Sequence, residues 1–273
     1  PDISPVQCTE QEIPNHIHDQ GLIFLNLTNT ALYSFGDGWQ ASLMVPFQVR
    51  LLRIDYYLAD NQESYTPPYA GIHHRNESLI GLGDFEVSAQ RLVPFGRSGL
   101  GVSVGTTIPV GRIEENPYDL GAESKEHQHI QMGTGAFVPL LEVVAFHPFQ
   151  QSGLLGRVRF EIPFYENTYR YQSGRAVRWS AGYWRTLFAQ SVGFIQIQGT
   201  HESSDEWYGI PAPFSGRDAV GLALSGMWRV QDDRELILRV ERNVWERPRN
   251  ESDRGEDESL PPFWVFSFGL SWL

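Results

Sequence analysis

The C-terminal segment, residues 263–273, has the clearest pattern of hydrophobic and polar positions in the chain. Its even positions hold Trp264, Phe266, Phe268, Leu270 and Trp272, and its odd positions after Val265 hold Ser267, Gly269 and Ser271. Successive side chains of a strand point to opposite faces, so this pattern predicts a final strand with an aromatic face and a small, polar face. In water the aromatic face would promote aggregation, whereas lipid favours it. We therefore expect a transmembrane antiparallel β-barrel of the outer-membrane type.

The same two-residue period recurs along the chain. It predicts eleven strands, at about residues 21–35, 39–59, 80–93, 98–112, 129–147, 153–165, 175–188, 191–201, 217–230, 234–246 and 262–273. Bacterial single-chain barrels generally have even strand numbers, so we expect about twelve strands, with one missed or the 39–59 segment misread. The alternation in that segment changes phase between Leu51 and Leu52, which predicts a β-bulge.

The connections between the predicted strands alternate in length. Short connections lie near residues 36–38, 94–96, 150–152 and 232–233, and long connections lie at 60–79, 113–128, 202–216 and 247–261. Outer-membrane barrels have short periplasmic turns and long external loops. A soluble β-sandwich needs neither this asymmetry nor an aromatic outer face on its last strand. The predicted location is the bacterial outer membrane.

Composition narrows the possible functions. The formal net charge of -12 supplies no basic excess for phosphates, so nucleic acid is not an expected partner. No stretch approaches the roughly 20 apolar residues of a spanning helix, and the mean hydropathy is -0.31. Lys125 is the single lysine among 21 basic residues. Many of the arginines alternate with apolar residues, which suggests guanidinium pairing inside the barrel.

Charged residues repeatedly occupy the strand face opposite the apolar one, and we expect that face to line the lumen. Charges there tune selectivity in an open pore, or they pair and fill a narrow barrel. The alternation does not decide between the two. The expected lumen-lining residues are Arg53, Asp55, Asp84, Glu86, Arg157, Arg159, Glu161, Arg178, Glu235, Arg239 and Glu241.

Six of the eight histidines fall in three close sets, and imidazole with nearby carboxylates suits zinc or copper. No set alone has enough ligands for a closed site, so a metal site would have to be assembled across loops. Solvated loop histidines are the alternative. We expect no resident cofactor, apart from a possible divalent metal. The sets are His16 and His18, His73 and His74, and His127 and His129.

The sequence predicts no catalytic residues. In one register His201 and Ser203 would share a strand face, which is similar to the His-x-Ser pair of outer-membrane phospholipases. A histidine-activated serine also needs a third group to orient the imidazole. That family has Asn-Gly after its serine, whereas Ser204 and Asp205 follow here, so phospholipase-like activity is a minor alternative.

Residues 1–20 contain Pro1, Pro5 and Pro14 and show no strand pattern. We expect them to form an N-terminal extension or a luminal plug, and residues 21–273 to form the transmembrane barrel. The acidic stretch 246–258 is expected to be a solvated external loop.

Three segments resemble the outer-membrane transporter family labelled "MetA-pathway of phenol degradation". They are Gly-Leu-Gly-Asp at 81–84, Gly-Val-Ser-Val-Gly-Thr-Thr-Ile-Pro-Val-Gly at 101–111, and the segment 129–140. The resemblance implies a passive channel or uptake barrel for small solutes, possibly hydrophobic or aromatic, with no catalytic residues to carry over.

The expected function is therefore the passive passage of a small-molecule solute. The alternatives are a structural or partner-anchoring barrel with a sealed lumen, and a histidine-lined copper or zinc uptake barrel. The expected partners are outer-membrane lipid and lipopolysaccharide, with envelope proteins as further possible partners.

Overall fold

The computed structural model describes residues 14–249, except 69, 73, 74, 128, 129, 189 and 214, and residues 264–272. Most of these residues lie in antiparallel strands. The elements in chain order are β1 (His16–Gly36), β2 (Trp39–Leu58), β3 (Glu77–Leu82), β4 (Phe85–Phe95), β5 (Ser98–Ile108), α1 (Pro117–Ala122), β6 (Pro139–Pro148), β7 (Ser152–Glu161), β8 (Tyr171–Gln172), β9 (Ala176–Phe188), β10 (Ser191–Glu202), β11 (Glu206–Trp207), β12 (Ile210–Pro211), β13 (Arg217–Gln231), β14 (Arg234–Pro248) and β15 (Trp264–Trp272). No helix of the described residues is long and apolar enough to cross a membrane.

Twelve of the strands form one antiparallel sheet whose strand order follows the chain, except that β3 and β4 both pair with β2. Both β3 and β4 pair with β2, at residues 47–52 and 39–44 of β2 respectively. They share one position in the sheet, interrupted at Gly83 and Asp84. Among the described residues the sheet thus has twelve strands in eleven positions. A separate small sheet contains β8, β11 and β12.

The predicted bulge in the second strand is wrong. The register of β1 and β2 runs without a shift from the Ser34–Gln40 pair to the His16–Leu58 pair, and it passes through Leu51 and Leu52 in step. The irregularity lies in the neighbouring position instead, where Gly83 and Asp84 separate β3 from β4. The phase change in the sequence has another cause, described with the site below.

The outer face of the sheet is apolar, as the last strand predicts. Phe266, Phe268 and Trp272 are 76%, 68% and 68% exposed, and they lie opposite Val240, Leu238 and Arg234 of β14. The alternate residue Val265 lines an internal cavity. At the β1–β2 turn, the rings of Tyr33, Phe35 and Trp39 stack in succession on the outer face. Aromatic residues at this level are typical of the membrane interface.

The connections confirm the expected asymmetry. Two to three residues join the strands at one end of the sheet, whereas the connections 59–76, 109–138, 162–175 and 203–216 lie at the other end. Hydrogen bonds link these four long connections, which we call the cap. The amide of His127 donates to the Ile72 carbonyl at 3.2 Å, and the Tyr208 hydroxyl donates to Asp119 at 2.8 Å. By the convention of outer-membrane barrels the cap is external.

The first strand begins at His16, five residues before the expected start of the barrel. Residues 1–13 lie outside the described residues, so a luminal plug stays a prediction. The same is true of most of the acidic stretch 246–258, because residues 250–263 are also outside that range.

Candidate functional site

The inner face of the sheet encloses two cavities. The larger, of about 550 Å³, is lined by arginines and amides of β7, β9, β10, β13 and β14. The smaller, of about 160 Å³, is lined mainly by hydroxyl, amide and charged groups of β2, β4, β5, β6 and β7. Arg157 and Arg159 line both. The two cavities are therefore adjoining parts of one polar lumen.

Arg159 forms a bar across this lumen. It lies on β7, and its guanidinium donates to both carboxylate oxygens of Glu86 on β4, at 3.0 and 2.7 Å. The strands β5 and β6 lie between them in the sheet, and β5 presents only the small residues Ser103 and Gly105 to the cavity there. Both charged side chains are largely buried, at 18% and 13% exposure. The pair spans the inner curve of the wall and separates the two cavities.

The bar continues into a series of alternating charges. Arg159 also contacts Glu161 at 2.9 Å, and Glu161 pairs with Arg178. Arg178 and Arg217 flank Glu202, at 3.7 and 3.8 Å. We call this set of four carboxylates and three guanidiniums, with a net charge of -1, the charge ladder. Its members are Glu86, Arg159, Glu161, Arg178, Glu202, Arg217 and Glu246.

Two further arginines line the larger cavity. Arg157 contacts Glu142 at 2.8 Å through Nε. Arg239 donates to Gln196 at 2.6 Å and to Gln198, and it contacts Glu241 at 3.2 Å. Each guanidinium is thus held by a carboxylate, an amide or both. A planar guanidinium fixed in this way still has its face available for stacking.

Most of the predicted lumen residues face the interior. Seven of them line the cavities or belong to the charge ladder. Glu235 lies on the inner face of β14 near the short-turn end, where it pairs with Arg229 at 3.4 Å. The seven are Glu86, Arg157, Arg159, Glu161, Arg178, Arg239 and Glu241.

The prediction that Arg53 and Asp55 line the lumen is wrong. They pair with each other at 3.1 Å on the outer side of β2, and the Arg53 side chain is 78% exposed. Gln40 and Ser42 line the inner cavity, and the uninterrupted register keeps Ile54 and Tyr56 on that same side. There these two residues pack against Ala70 and Ile72 of the cap. An exposed ion pair on the outer side, together with apolar packing against the cap on the inner side, indicates that this part of β2 lies beyond the lipid.

Asp84 has a structural role that the sequence did not indicate. Its carboxylate accepts hydrogen bonds from the Gly111 amide at 2.9 Å, the Thr134 amide at 2.7 Å and the Thr134 hydroxyl at 2.8 Å. The Thr134 carbonyl accepts a further bond from Asn167. Asp84 therefore anchors the 109–138 connection to the wall at the mouth of the lumen.

Sequence reasoning missed several residues of the lumen. Gln196 and Gln198 alternate with Ile195 and Ile197, a signal of the same kind as the charged alternations. Glu142 lies at an inner position of β6 in the same way. In contrast, the ends of β10, β13 and β14 gave no comparable signal, and they supply Glu202, Arg217 and Glu246.

The histidine sets are only partly described, because His73, His74, His129 and the side chain of His18 lie outside the described residues. His16 donates a hydrogen bond from Nδ1 to the Pro14 carbonyl and packs beside Tyr56 and Tyr65. His127 bonds the Lys125 carbonyl through Nδ1. Among the described residues no group of three metal-ligating side chains occurs. The metal site stays a prediction.

His201 and Ser203 have different partners. The Nδ1 atom of His201 lies 2.6 Å from Asp218, and Arg249 lies against the same ring. The Ser203 hydroxyl instead accepts the Arg175 amide at 2.9 Å, beyond the end of β10. No hydrogen bond between described residues joins His201 to Ser203, so the pair needed for nucleophilic activation is not assembled.

The cap contains a partly buried acid. Asp205 accepts hydrogen bonds from the Gly174 amide, at 2.8 Å, and from Tyr171, which packs against Trp207. Burial raises the pKa of Asp205, and these two hydrogen bonds oppose that shift. Burial together with the Asp205 charge also raises the pKa of Tyr171. These groups form the polar centre of the small β8–β11–β12 sheet.

Comparison with known proteins identifies the fold. An outer-membrane channel from Pseudomonas putida F1 is similar, with a TM-score of 0.53, 12% identity and 95% of each chain covered. The outer-membrane protein OmpT of Vibrio cholerae gives a TM-score of 0.41 and 9% identity, over 96% of this chain and 98% of that chain, which is too low to support an argument. The chain has an outer-membrane β-barrel fold. Its apolar outer face agrees with that assignment, and the bacterial outer membrane is where such a barrel resides.

No protein family and no curated protein matches the sequence. The resemblance to transporters of the phenol-degradation type therefore stays a prediction, whereas the coarser assignment, an outer-membrane barrel, stands on the fold.

Proposed function

We propose that this barrel is a passive channel for small solutes and that it acts without covalent catalysis. The observation that carries the proposal is the polar lumen beneath the cap, in which two adjoining cavities are divided by the Arg159–Glu86 bar. A pore of this size that did not select among solutes would not need charged side chains held in fixed positions across its lumen. Fixed charges at a constriction are the usual determinants of pore selectivity.

The chemistry of the larger cavity favours small aromatic or hydrophobic solutes that carry a polar group. Arginine planes and inner amides line it beside the apolar residues Val144, Leu155 and Val265. Guanidinium faces stack on aromatic rings, while their edges bind oxygen substituents. The family resemblance of residues 81–84 and 101–111 points in the same direction.

Liposome swelling and single-channel recording on the purified barrel test this function. We expect flux of small phenols and benzoates, and less flux of sugars of similar volume. The heat-unfolded protein is the control. If the folded barrel gives neither conductance nor flux, the transport proposal fails and the sealed, partner-anchoring barrel replaces it.

A metal-uptake role is a second candidate, favoured by one contact. The His127 amide bonds to the Ile72 carbonyl, which brings together two chain segments that carry histidines. His16 packs against Tyr56, and Tyr56 packs against Ile72. Metal analysis of the purified protein should then show zinc or copper that is lost in both His73→Ala and His127→Ala. Unchanged metal content in both variants would discard this candidate.

A further inference from the structure

A row of polar residues crosses the outer face of the barrel at the cap end. His201 of β10 lies directly opposite Asp218 of β13, and Asp218 lies opposite Arg247 of β14. His201 alternates along β10 with the cavity-lining Gln198 and Thr200, so it shares the outer face with Ile195 and Ile197. We call His201, Asp218, Arg247 and the adjoining Arg249 the rim site.

The rim site is an ordered cluster. The Asp218 carboxylate lies 2.6 Å from His201 Nδ1 and 3.6 Å from Arg249 Nε, and Arg249 Nη1 lies 2.9 Å from His201 Nε2. The Arg249 amide also donates to the Gly216 carbonyl, which fixes the backbone there. Asp218 is 26% exposed, whereas His201 is 51% exposed. One carboxylate thus contacts both the imidazole and the Arg249 guanidinium, and both of those side chains remain partly exposed.

The level of the rim site in the membrane follows from the outer-facing residues next to it on the side of the short turns. Two residues nearer the short turns, the outer face carries Gly199, Val220 and Trp245, with Trp179 opposite Gly199. A Cβ at Gly199 would lie 2.5 Å from the Trp179 ring, so that ring occupies the space above the glycine. Leu222 and Leu224 follow, about half exposed. Tryptophans mark the interface of a membrane barrel, so the row just outside them lies at the level of the lipid headgroups.

We propose that the rim site binds the phosphate of a phosphorylated lipid headgroup in the outer leaflet. The rim site holds two arginines and one carboxylate, with Arg247 in register with Asp218 and Arg249 in contact with it, which leaves an excess of positive charge and of guanidinium N–H donors. Guanidinium groups bind phosphate through paired, charge-assisted hydrogen bonds. The acyl chains of the same lipid lie along the exposed leucines below. Asp218 is a positioning residue that holds His201 and Arg249 in place. This proposal is independent of any solute passage through the lumen.

Titration of the purified full chain in detergent with a bisphosphorylated glucosamine lipid (lipid A) tests the site, with native mass spectrometry as the readout. Its matched comparisons are the dephosphorylated lipid, phosphatidylglycerol and inorganic phosphate. We expect the affinity for the bisphosphorylated lipid to fall about tenfold or more in Arg247→Ala/Arg249→Ala, because charged hydrogen bonds are lost. Arg185→Ala is the control for each of the single variants Arg247→Ala and Arg249→Ala, since it also removes one positive charge, from the outer side at the other end of β9.

Three results would overturn the proposal: equal affinity of the double variant and the wild type, an equal loss in Arg185→Ala, or equal binding of the dephosphorylated lipid. Binding of inorganic phosphate as tight as that of the lipid would also overturn it. If the double variant fails the heat-modifiability test for a folded barrel, the single variants Arg247→Ala and Arg249→Lys replace it. Arg249→Lys should keep the charge and recover only part of the affinity, because it cannot pair with two phosphate oxygens.

Discussion

The ion pair between Arg159 and Glu86, which forms the bar across the lumen, leads to the first prediction. Replacing Arg159 by methionine keeps most of the volume but leaves Glu86, which is 13% exposed, without its cation. Breaking a buried pair from one side costs roughly 3–5 kcal/mol, because it leaves an uncompensated charge. The lumen is polar, which favours the lower part of that range. Glu161 retains Arg178, so it adds little to the loss.

The double variant Arg159→Met/Glu86→Gln separates the pair from its parts. It removes both charges, so we expect it to be more stable than Arg159→Met alone, with a coupling of about 2–3 kcal/mol in the double-mutant cycle. The assay is reversible urea unfolding in phospholipid vesicles, followed by tryptophan fluorescence. Arg53→Met is the control, since that side chain is 78% exposed and should change stability by less than about 0.5 kcal/mol.

Conductance in the same variants tests the role of the bar in the lumen. Arg159→Met and Glu86→Gln should both raise single-channel conductance, because either change opens the division between the two cavities. Their ion selectivities should move in opposite directions, since the ladder changes from a net charge of -1 to -2 in the first variant and to 0 in the second. If the effects on stability are additive and selectivity moves the same way in both, the bar is not the constriction we infer.

Four further predictions concern the cap and the outer face. Asp84→Ala should lower hydrogen-exchange protection of the 109–138 connection by roughly 100-fold, or about 3 kcal/mol, because three hydrogen bonds to a carboxylate are lost; unchanged protection would contradict this. Gly133→Ala should loosen the same connection, since its Cβ would lie 2.4 Å from Asp84 Oδ1, whereas Gly156→Ala, with open space around it, should be neutral in the same exchange experiment. The folded-state pKa of Asp205 is raised above 3.8, so its contribution to the stability of the cap is greatest below the unfolded pKa and declines as pH rises through the folded pKa. Hydrogen-exchange protection factors of the cap should therefore fall over this pH range in the wild type and should not change with pH in Asp205→Asn. Phe266→Arg should cost roughly 2–4 kcal/mol in vesicle unfolding if residue 266 lies near the bilayer centre, and a neutral result would place it in the headgroup region.

The sequence predicted the strands of the barrel wall well, because alternate residues of a strand face two different environments and differ in polarity accordingly. The aromatic face of β15 followed from that period alone. The same reasoning failed at Arg53 and Asp55, because alternation does not reveal where a strand leaves the membrane. Above that point the chemistry of the two faces is exchanged while the register stays the same.

The partners within the lumen were beyond the reach of the sequence for a different reason. Glu86 and Arg159 are 73 positions apart, and their contact depends on the curvature of the wall and on the small residues between them. Asp84 was predicted to line the lumen, but its carboxylate instead binds two backbone amides and one hydroxyl of a distant connection. Such acceptor and donor pairs leave no pattern along the chain.

The eleven strand positions have a consequence for assembly. Strands at positions one and eleven run in the same direction, whereas every observed neighbour pair of the large sheet is antiparallel and joins strands close in sequence. Among the described residues β1 and β15 are not paired with each other, yet hydrocarbon cannot satisfy the open N–H and C=O groups of an edge. Most of the wall can thus form by rapid, local hairpin pairing, whereas closure between β1 and β15 would join strands far apart in sequence. A direct pairing of these two strands would be parallel and slightly weaker per residue, so we expect closure to be slower than formation of the hairpins.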